Sequence, residues 1–167
     1  AQLQLYDLSR GAAPKEGVCN PSYAEWAPIE FGDALRLVKV SVPSEHSLGE
    51  NLYTTLEWQP LDGIRNLSGP LSMSLRLYAD VETQLAQQDE SPLLGAEQWS
   101  KISLEKQSLI RQTLALPLPA NLQPGLYSLE LIVYRQQDGS PLSLPERPDT
   151  IWGQRLRIAS VTFVLPK

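Results

Sequence analysis

Three tryptophans outside the regular strand pattern are the residues best suited to ligand chemistry. Trp26, Trp99 and Trp152 lie in segments without alternation, whereas Trp58 lies on the apolar face of an alternating segment. An exposed indole ring can stack on a sugar, a ligand class that needs apolar area with polar neighbours. A tryptophan can equally plug the open end of a β-sandwich core. We therefore treat Trp26, Trp99 and Trp152 as candidate sugar-binding residues, with plugging as the alternative, and Trp58 as structural.

Side chains that could catalyse a reaction are few. The single cysteine, Cys19, excludes an intramolecular disulfide and a multi-cysteine zinc site, and the single histidine, His46, excludes multi-histidine metal sites. No nucleophile-elbow glycine pattern surrounds His46, so we expect an exposed loop residue. Asp89 and Glu90 are adjacent, and neighbouring side chains of an extended chain diverge, so they cannot act together as acid and base. We expect Asp89 to accept hydrogen bonds from turn amides. The sequence thus predicts no catalytic residue, metal site or cofactor.

The length and the net charge limit the number of domains and the kinds of partner that this chain can bind. A chain of 167 residues is the size of one domain. The 14 basic and 19 acidic residues give a net charge of −5, and no cluster of lysines and arginines is visible. These features argue against a nucleic-acid partner and against an anionic membrane surface. The oligomeric state is left open.

Alternation with a period of two residues defines the elements that must position these side chains. In one run, Leu71, Met73, Leu75, Leu77 and Ala79 alternate with Ser72, Ser74, Arg76, Tyr78 and Asp80. Successive strand side chains point to opposite faces, so we expect the first set in the core and the second in water. Similar patterns predict strands at 35–42, 52–59, 71–79, 81–87, 109–116, 126–135 and 155–165. The apolar phase changes within 35–42 and near Ala159-Ser160, which predicts bulges there or a strand moving between sheets.

One-sided alternation is typical of antiparallel sheets that each bury one face. The sequence therefore predicts an all-β fold, a two-sheet antiparallel β-sandwich with an immunoglobulin-like or jelly-roll-like Greek key. We place the sandwich at residues 31–167 and an irregular N-terminal arm or linker at residues 1–30, with one short strand near residues 3–8.

The segment Leu122-Gln-Pro-Gly-Leu-Tyr127 is the most specific local signal. A Pro-Gly turn followed by a tyrosine that opens an apolar strand is typical of the tyrosine corner of Greek-key sandwiches, in which the hydroxyl bonds to upstream main chain. We therefore expect structural roles for Pro124, Gly125 and Tyr127.

Several motifs in order resemble the C-terminal β-sandwich domain of bacterial membrane glycosyltransferases of the protein mannosyltransferase-like type. The similar pieces are Phe31-Gly32-Asp33, Leu48-Gly49, Leu56-Glu-Trp58, Gln87-Gln88-Asp89, Pro92, Gly95, Trp99, Leu116-Pro117, Pro124-Gly125-Leu-Tyr127, Tyr134, Asp138-Gly139 and Leu142. They span residues 31 to 145. The chain departs from this pattern at Arg76, where such domains often carry histidine, and at Arg135, where aspartate is common.

The resemblance implies a non-catalytic accessory domain on the extracytoplasmic side of a bacterial membrane. In such proteins the membrane-embedded part carries the transferase chemistry, and the sandwich recognises glycan or acceptor or packs on that part of the same chain. The alternatives are an independent secreted carbohydrate-binding module and a structural protein-interaction domain.

Overall fold

The computed structural model describes residues 5–7, 27–93 and 109–166. Within these ranges the chain forms eleven strands and a 3-10 helix at Asp62–Asn66. The strands are β1 (Leu5–Asp7), β2 (Ile29–Phe31), β3 (Leu35–Ser41), β4 (Glu45–Ser47), β5 (Leu52–Pro60), β6 (Leu71–Tyr78), β7 (Gln84–Leu93), β8 (Leu109–Leu116), β9 (Gly125–Arg135), β10 (Thr150–Ile151) and β11 (Arg155–Val164). None of the described residues forms a helix of the length and apolarity needed to span a lipid bilayer.

The strands form two sheets. The first has the order β1-β8-β5-β3-β2, and the second has the order β10-β11-β9-β6-β7 with β4 beside β11. Neighbouring strands are antiparallel, except that β1 lies parallel to β8 and β4 lies parallel to β11. The predicted all-β sandwich of two sheets is confirmed, and the two parallel pairings were not foreseen. Ile29 and Glu30, assigned to the arm by the sequence, pair with β3.

The core lies between the sheets and is built from the predicted alternation. The inward side chains of β5 and β6 are buried, and the Trp58 ring packs edge-on against Phe31 with 5.5 Å between ring centroids. Burying one such large apolar side chain stabilises the fold by about 1.5–3 kcal/mol. Trp58 therefore has the structural place that the sequence predicts.

A β-bulge explains each of the two places, in β3 and in β11, where the apolar side chains change from odd to even positions or the reverse. The register of β3 against β5 shifts between Leu37 and Lys39. The register of β11 against β9 shifts between Arg157 and Ala159. One extra residue on the bulged strand moves the following apolar side chains to the opposite parity while they still face the core. This is why Val161 and Phe163 are buried together with Leu156.

The prediction that the second set of residues 71–80 faces water holds for Asp80 and is wrong for three others, and Ala79, which was expected in the core, is exposed because it lies in the turn after β6. Ser72, Ser74 and Tyr78 are all buried. The two serines lie beside larger cross-strand neighbours, since Ser72 pairs with Tyr134 and Ser74 with Ile132 on β9, and the Tyr78 ring is covered by the Arg155 guanidinium. Neighbouring side chains directly opposite on a sheet are close enough to cover one another.

Two local predictions are also wrong. His46 is not an exposed loop residue, because it lies in β4, half-buried, with its ring edge-on to Phe163 at 5.9 Å between centroids. Asp89 does not bind turn amides, because it lies inside β7 and accepts a hydrogen bond of 2.6 Å from Gln87 Nε2. The β6–β7 turn lies earlier, at Asp80, whose carboxylate accepts the backbone amides of residues 82 and 83. This turn also explains why β7 begins three residues later than predicted.

Candidate functional site

The outer face of the second sheet carries a row of charged side chains that the strand register brings together. Arg76 on β6 lies directly opposite Glu130 on β9, and Glu130 lies directly opposite Arg157 on β11. Arg155, two residues before Arg157, shares this face because strand side chains alternate. We call Arg76, Glu130, Arg155 and Arg157 the arginine cluster.

Glu130 is the centre of the arginine cluster and is fully buried. Its Oε2 lies 3.2 Å from Arg155 Nε, and its Oε1 accepts a hydrogen bond of 3.2 Å from Ser128 Oγ. Burial raises the pKa of Glu130, because the charged form loses its hydration, and Arg155, Ser128, Arg157 and Arg76 counter only part of this effect. The ion pair with Arg155 does not have the geometry of a hydrogen bond. Among the described residues, Oε2 therefore has no hydrogen-bond partner.

Arg155 links this carboxylate to the aromatic residues at the end of the sheet. Its guanidinium carbon lies 4.5 Å from the ring centre of Tyr78 and 4.7 Å from that of Trp152. Its Nη2 donates a hydrogen bond of 2.7 Å to the carbonyl of Val81. A guanidinium stacked between aromatic faces is attracted by both ring quadrupoles. Trp152 is therefore held in place through Arg155.

Each of the other two arginines, Arg76 and Arg157, donates a hydrogen bond from Nε to a serine hydroxyl. Arg76 Nε donates to Ser74 Oγ at 2.9 Å, and Arg157 Nε donates to Ser128 Oγ at 2.9 Å. Within the described part of the chain, no hydrogen bond is made by the Nη atoms of either residue. Each guanidinium has five N–H donors, so most of the donors of Arg76 and Arg157 remain available to a ligand.

A groove of about 270 Å³ opens on the same face. It is lined by Arg76, Ile132, Tyr134, Gly139, Pro141 and Gln154. We call it the outer groove. Gln154 belongs to the turn between β10 and β11 that also carries Trp152, so the same turn contributes one residue to the groove and displays the indole ring. The outer groove thus has one charged end, apolar walls and two polar side chains, the mixture that small-ligand sites use.

Trp152 is exposed to solvent and has an unusual backbone conformation. It is 69% exposed, so the plugging alternative is wrong for this tryptophan. Its φ of 53° lies in the left-handed region, which costs an L-residue with a side chain about 1–2 kcal/mol. Strain of this kind persists only where the surrounding structure holds it, and it is frequent at ligand sites. Trp26 and Trp99 lie outside the described residues.

Tyr127 has a structural contact instead. Its hydroxyl donates a hydrogen bond of 2.9 Å to the carbonyl of Gln123, the upstream main-chain bond expected of a tyrosine corner. Its ring packs edge-on against Phe163 with 5.6 Å between centroids. A Cβ at Gly125 would lie 3.4 Å from the Tyr127 ring, an ordinary van der Waals contact, so the turn packs against this ring. These contacts connect the turn at Pro124 to the core.

Sequence reasoning proposed Trp152, which the structure shows to be exposed, and it missed the arginine cluster. The signal was present in part, because Arg155 and Arg157 are two residues apart and so share a strand face. Their meeting with Arg76 and Glu130 depends on which strands pair and in what register, which alternation alone does not give. Over the described ranges, no group of three or more His, Cys, Asp and Glu side chains is placed to hold a metal ion.

Comparisons with known proteins add no assignment. No protein-family model and no curated protein matches the chain. Among solved structures, it is similar to the CARDB domain of the PF1109 protein from Pyrococcus furiosus, determined in complex with di-metal ions. The similarity has 14% identity and a TM-score of 0.38, and it covers 86% of this chain and 100% of that chain. At this level it carries neither fold nor function, so the fold rests on the two sheets and their shared core.

Proposed function

We propose that this chain is a non-catalytic recognition domain that binds a glycan, or the glycan-accepting part of another molecule, at Trp152 on the outer face of the second sheet. The observation that carries this proposal is the exposed indole of Trp152, which lies on the Arg155 guanidinium in a turn with positive φ, and this turn also supplies Gln154 to the outer groove. One face of the ring lies on the guanidinium, and the high exposure leaves the other face to solvent.

Such a ring suits a sugar for a physical reason. The face of a pyranose ring presents C–H groups, and an indole face gives these groups apolar contact. The sugar hydroxyls point outward and keep their hydrogen bonds to water. Holding the ring in one orientation before binding reduces the entropy lost on association. Polar groups of the outer groove, from Tyr134 and Gln154, offer hydrogen bonds that can fix the orientation of a bound sugar.

We further propose that this recognition serves a membrane glycosyltransferase, with this sandwich as its accessory domain outside the cytoplasm. The support is the ordered series of motifs from Phe31 to Leu142. The encoding reading frame tests this context directly. Several long apolar helices upstream of Ala1 agree with it, whereas a lone signal peptide upstream contradicts it and favours a secreted carbohydrate-binding module.

Sugar binding is tested by glycan-array screening of the chain, followed by calorimetry with the sugars that the array selects. We expect saturable binding, and we expect Trp152→Ala to weaken it at least tenfold, which corresponds to about 1.4 kcal/mol. Trp152→Tyr, which keeps an aromatic face, should retain part of the affinity. The substituted residue is exposed, so the fold should not change, and circular dichroism checks this.

A matched control uses an exposed aromatic residue of the first sheet. Tyr53 on β5 is 36% exposed and lies away from the outer groove. Tyr53→Ala should leave sugar affinity unchanged. If no sugar binds saturably, or if Tyr53→Ala weakens binding as much as Trp152→Ala does, the recognition proposal is wrong. A symmetric dimer without sugar binding would favour a structural interaction domain.

A further inference from the structure

We propose that the outer groove receives an anionic group, a carboxylate or a phosphate carried by the sugar, and that Arg76 is the residue that binds it. This inference rests on the proposed glycan recognition and names the chemical class of the ligand. It is carried by three observations: the charge of the arginine cluster, the free donors of Arg76, and the composition of the outer groove.

The arginine cluster holds more positive charge than its carboxylate needs. Three guanidinium groups surround Glu130, although the whole chain carries a net charge of −5. Arg155 is the one in ion-pair contact with Glu130, at 3.2 Å. One guanidinium is enough to pair with one carboxylate, and two further cations repel each other and the first. An anionic ligand removes this repulsion when it binds.

Arg76 is the member of the cluster that reaches the outer groove. It lines the groove, and its Nε is already bonded to Ser74 Oγ, which fixes the plane of the guanidinium. A fixed guanidinium offers paired N–H groups that match the two oxygens of a carboxylate or phosphate. Among the described residues, Asp89 lies on the same face, opposite Ser74, where its carboxylate accepts a hydrogen bond of 2.6 Å from Gln87 and forms no ion pair with Arg76.

The rest of the outer groove suits the body of a sugar. Its apolar lining comes from Ile132, Pro141 and Gly139. Its polar atoms, which can bind sugar hydroxyl groups, come from Tyr134 and Gln154. Its volume of about 270 Å³ lies just below the usual range of small-ligand sites, about 300–1,000 Å³. The groove is therefore large enough for one charged sugar unit.

The test is calorimetry of the whole chain with matched acidic and neutral sugars. One pair is trigalacturonate and galactotriose, which tests a carboxylate, and the other is mannose 6-phosphate and mannose, which tests a phosphate. Inorganic phosphate is a fifth probe. We expect the acidic member of at least one pair to bind tenfold or more tightly than its neutral partner. Raising the salt from about 0.05 M to 0.5 M should weaken only the acidic sugar, because ions screen the attraction.

Arg76→Gln should abolish the preference for the acidic sugar and leave the neutral sugar unchanged. Arg76→Lys keeps the charge but loses the paired donors, so it should give an intermediate preference. Arg65→Gln is the control, since Arg65 is an exposed arginine on the 3-10 helix. It should behave like the unchanged chain. Urea unfolding of each variant shows whether a loss of binding reflects a loss of fold.

Each remaining outcome decides a different proposal. Equal binding of acidic and neutral sugars, unaffected by Arg76→Gln, overturns the anionic ligand and leaves glycan recognition standing. Binding of inorganic phosphate that Arg76→Gln abolishes, with no binding of any sugar, supports the anion site and overturns glycan recognition. Failure of all five probes, together with an empty glycan array, overturns both.

Discussion

Glu130 shows how one residue can have opposing electrostatic neighbours. Three arginines favour its charged form, but its complete burial favours the neutral form, and burial dominates, so its pKa is raised. The folded chain therefore holds this proton to higher pH than the unfolded chain does. Stability linked to Glu130 is fully present below its ordinary value of 4.5 and is lost as pH rises through the folded pKa.

The predicted consequence concerns Glu130→Gln, which removes the titration. As pH rises from about 4 to 7, the free energy of unfolding of the unchanged chain should fall relative to that of the variant. Asp80 and Asp138, whose pKa values are lowered by turn hydrogen bonds, are present in both proteins, so their effect cancels in the difference. Urea unfolding of both proteins at several pH values measures the difference. A difference that changes in the opposite direction would show that the arginines outweigh burial.

The contacts and burial of some residues can be predicted from the sequence, and those of others cannot. Tyr127 has a local partner four residues away, so a short motif predicted its contact. The exposure of Trp152 depends on a turn with positive φ, which propensity does not associate with tryptophan. The burial of Glu130 depends on side chains from three strands, and no local pattern contains that information.

At the scale of elements, the inner face of the first sheet carries unpartnered polar groups. Thr54 on β5 is fully buried, and its Oγ1 has no hydrogen-bond partner among the described residues. The adjacent Thr55 points the other way, and its Oγ1 lies 2.9 Å from Thr113 Oγ1 on β8. Neighbouring threonines of one strand thus have opposite environments.

The same substitution should therefore have opposite effects at these two positions. Thr54→Val replaces an unsatisfied hydroxyl with a methyl group of similar shape and should raise the free energy of unfolding by about 1 kcal/mol. Thr55→Val breaks the cross-strand bond and should lower it by about 0.5–1.5 kcal/mol. Each variant is the other's control in urea unfolding. Changes of the same sign would show that strand propensity, and not hydrogen bonding, governs both sites.

Strand bounds were predictable where alternation was strong and one-sided. The predicted strand at 109–116 has the observed bounds of β8, and its inward set is buried. β4 was missed because Glu45–Ser47 is short and polar, and it is a strand only through its pairing with β11. β6 was predicted as a strand with a wet outer face, but its serines are covered by cross-strand neighbours. Elements with local signals were therefore predicted, and those defined by distant partners were not.

At the scale of the whole molecule, the two sheets must be joined by a chain that crosses between them. The crossover from β5 to β6 passes through the 3-10 helix, which packs on the turn between β2 and β3. Two backbone hydrogen bonds fix it there, from Gly63 to the carbonyl of Asp33 at 3.0 Å and from Leu61 to that of Ala34 at 2.8 Å. Ile64 then enters the shared core. This crossover thus ties the connection between the sheets to the turn between β2 and β3 and to the core.

Gly63 permits that close approach, since a Cβ there would lie 2.5 Å from the Asp33 carbonyl oxygen. Gly63→Ala should therefore displace the crossover and lower the free energy of unfolding by about 1–3 kcal/mol. Gly69→Ala, on the same crossover, is the matched control, because its nearest atom is 3.8 Å away and its φ is not in the left-handed region. That variant should be neutral or more stable by up to about 1 kcal/mol, because alanine restricts the unfolded chain. Urea unfolding followed by tryptophan fluorescence measures both, and equal effects would show that the crossover yields without disturbing the stacked sheets.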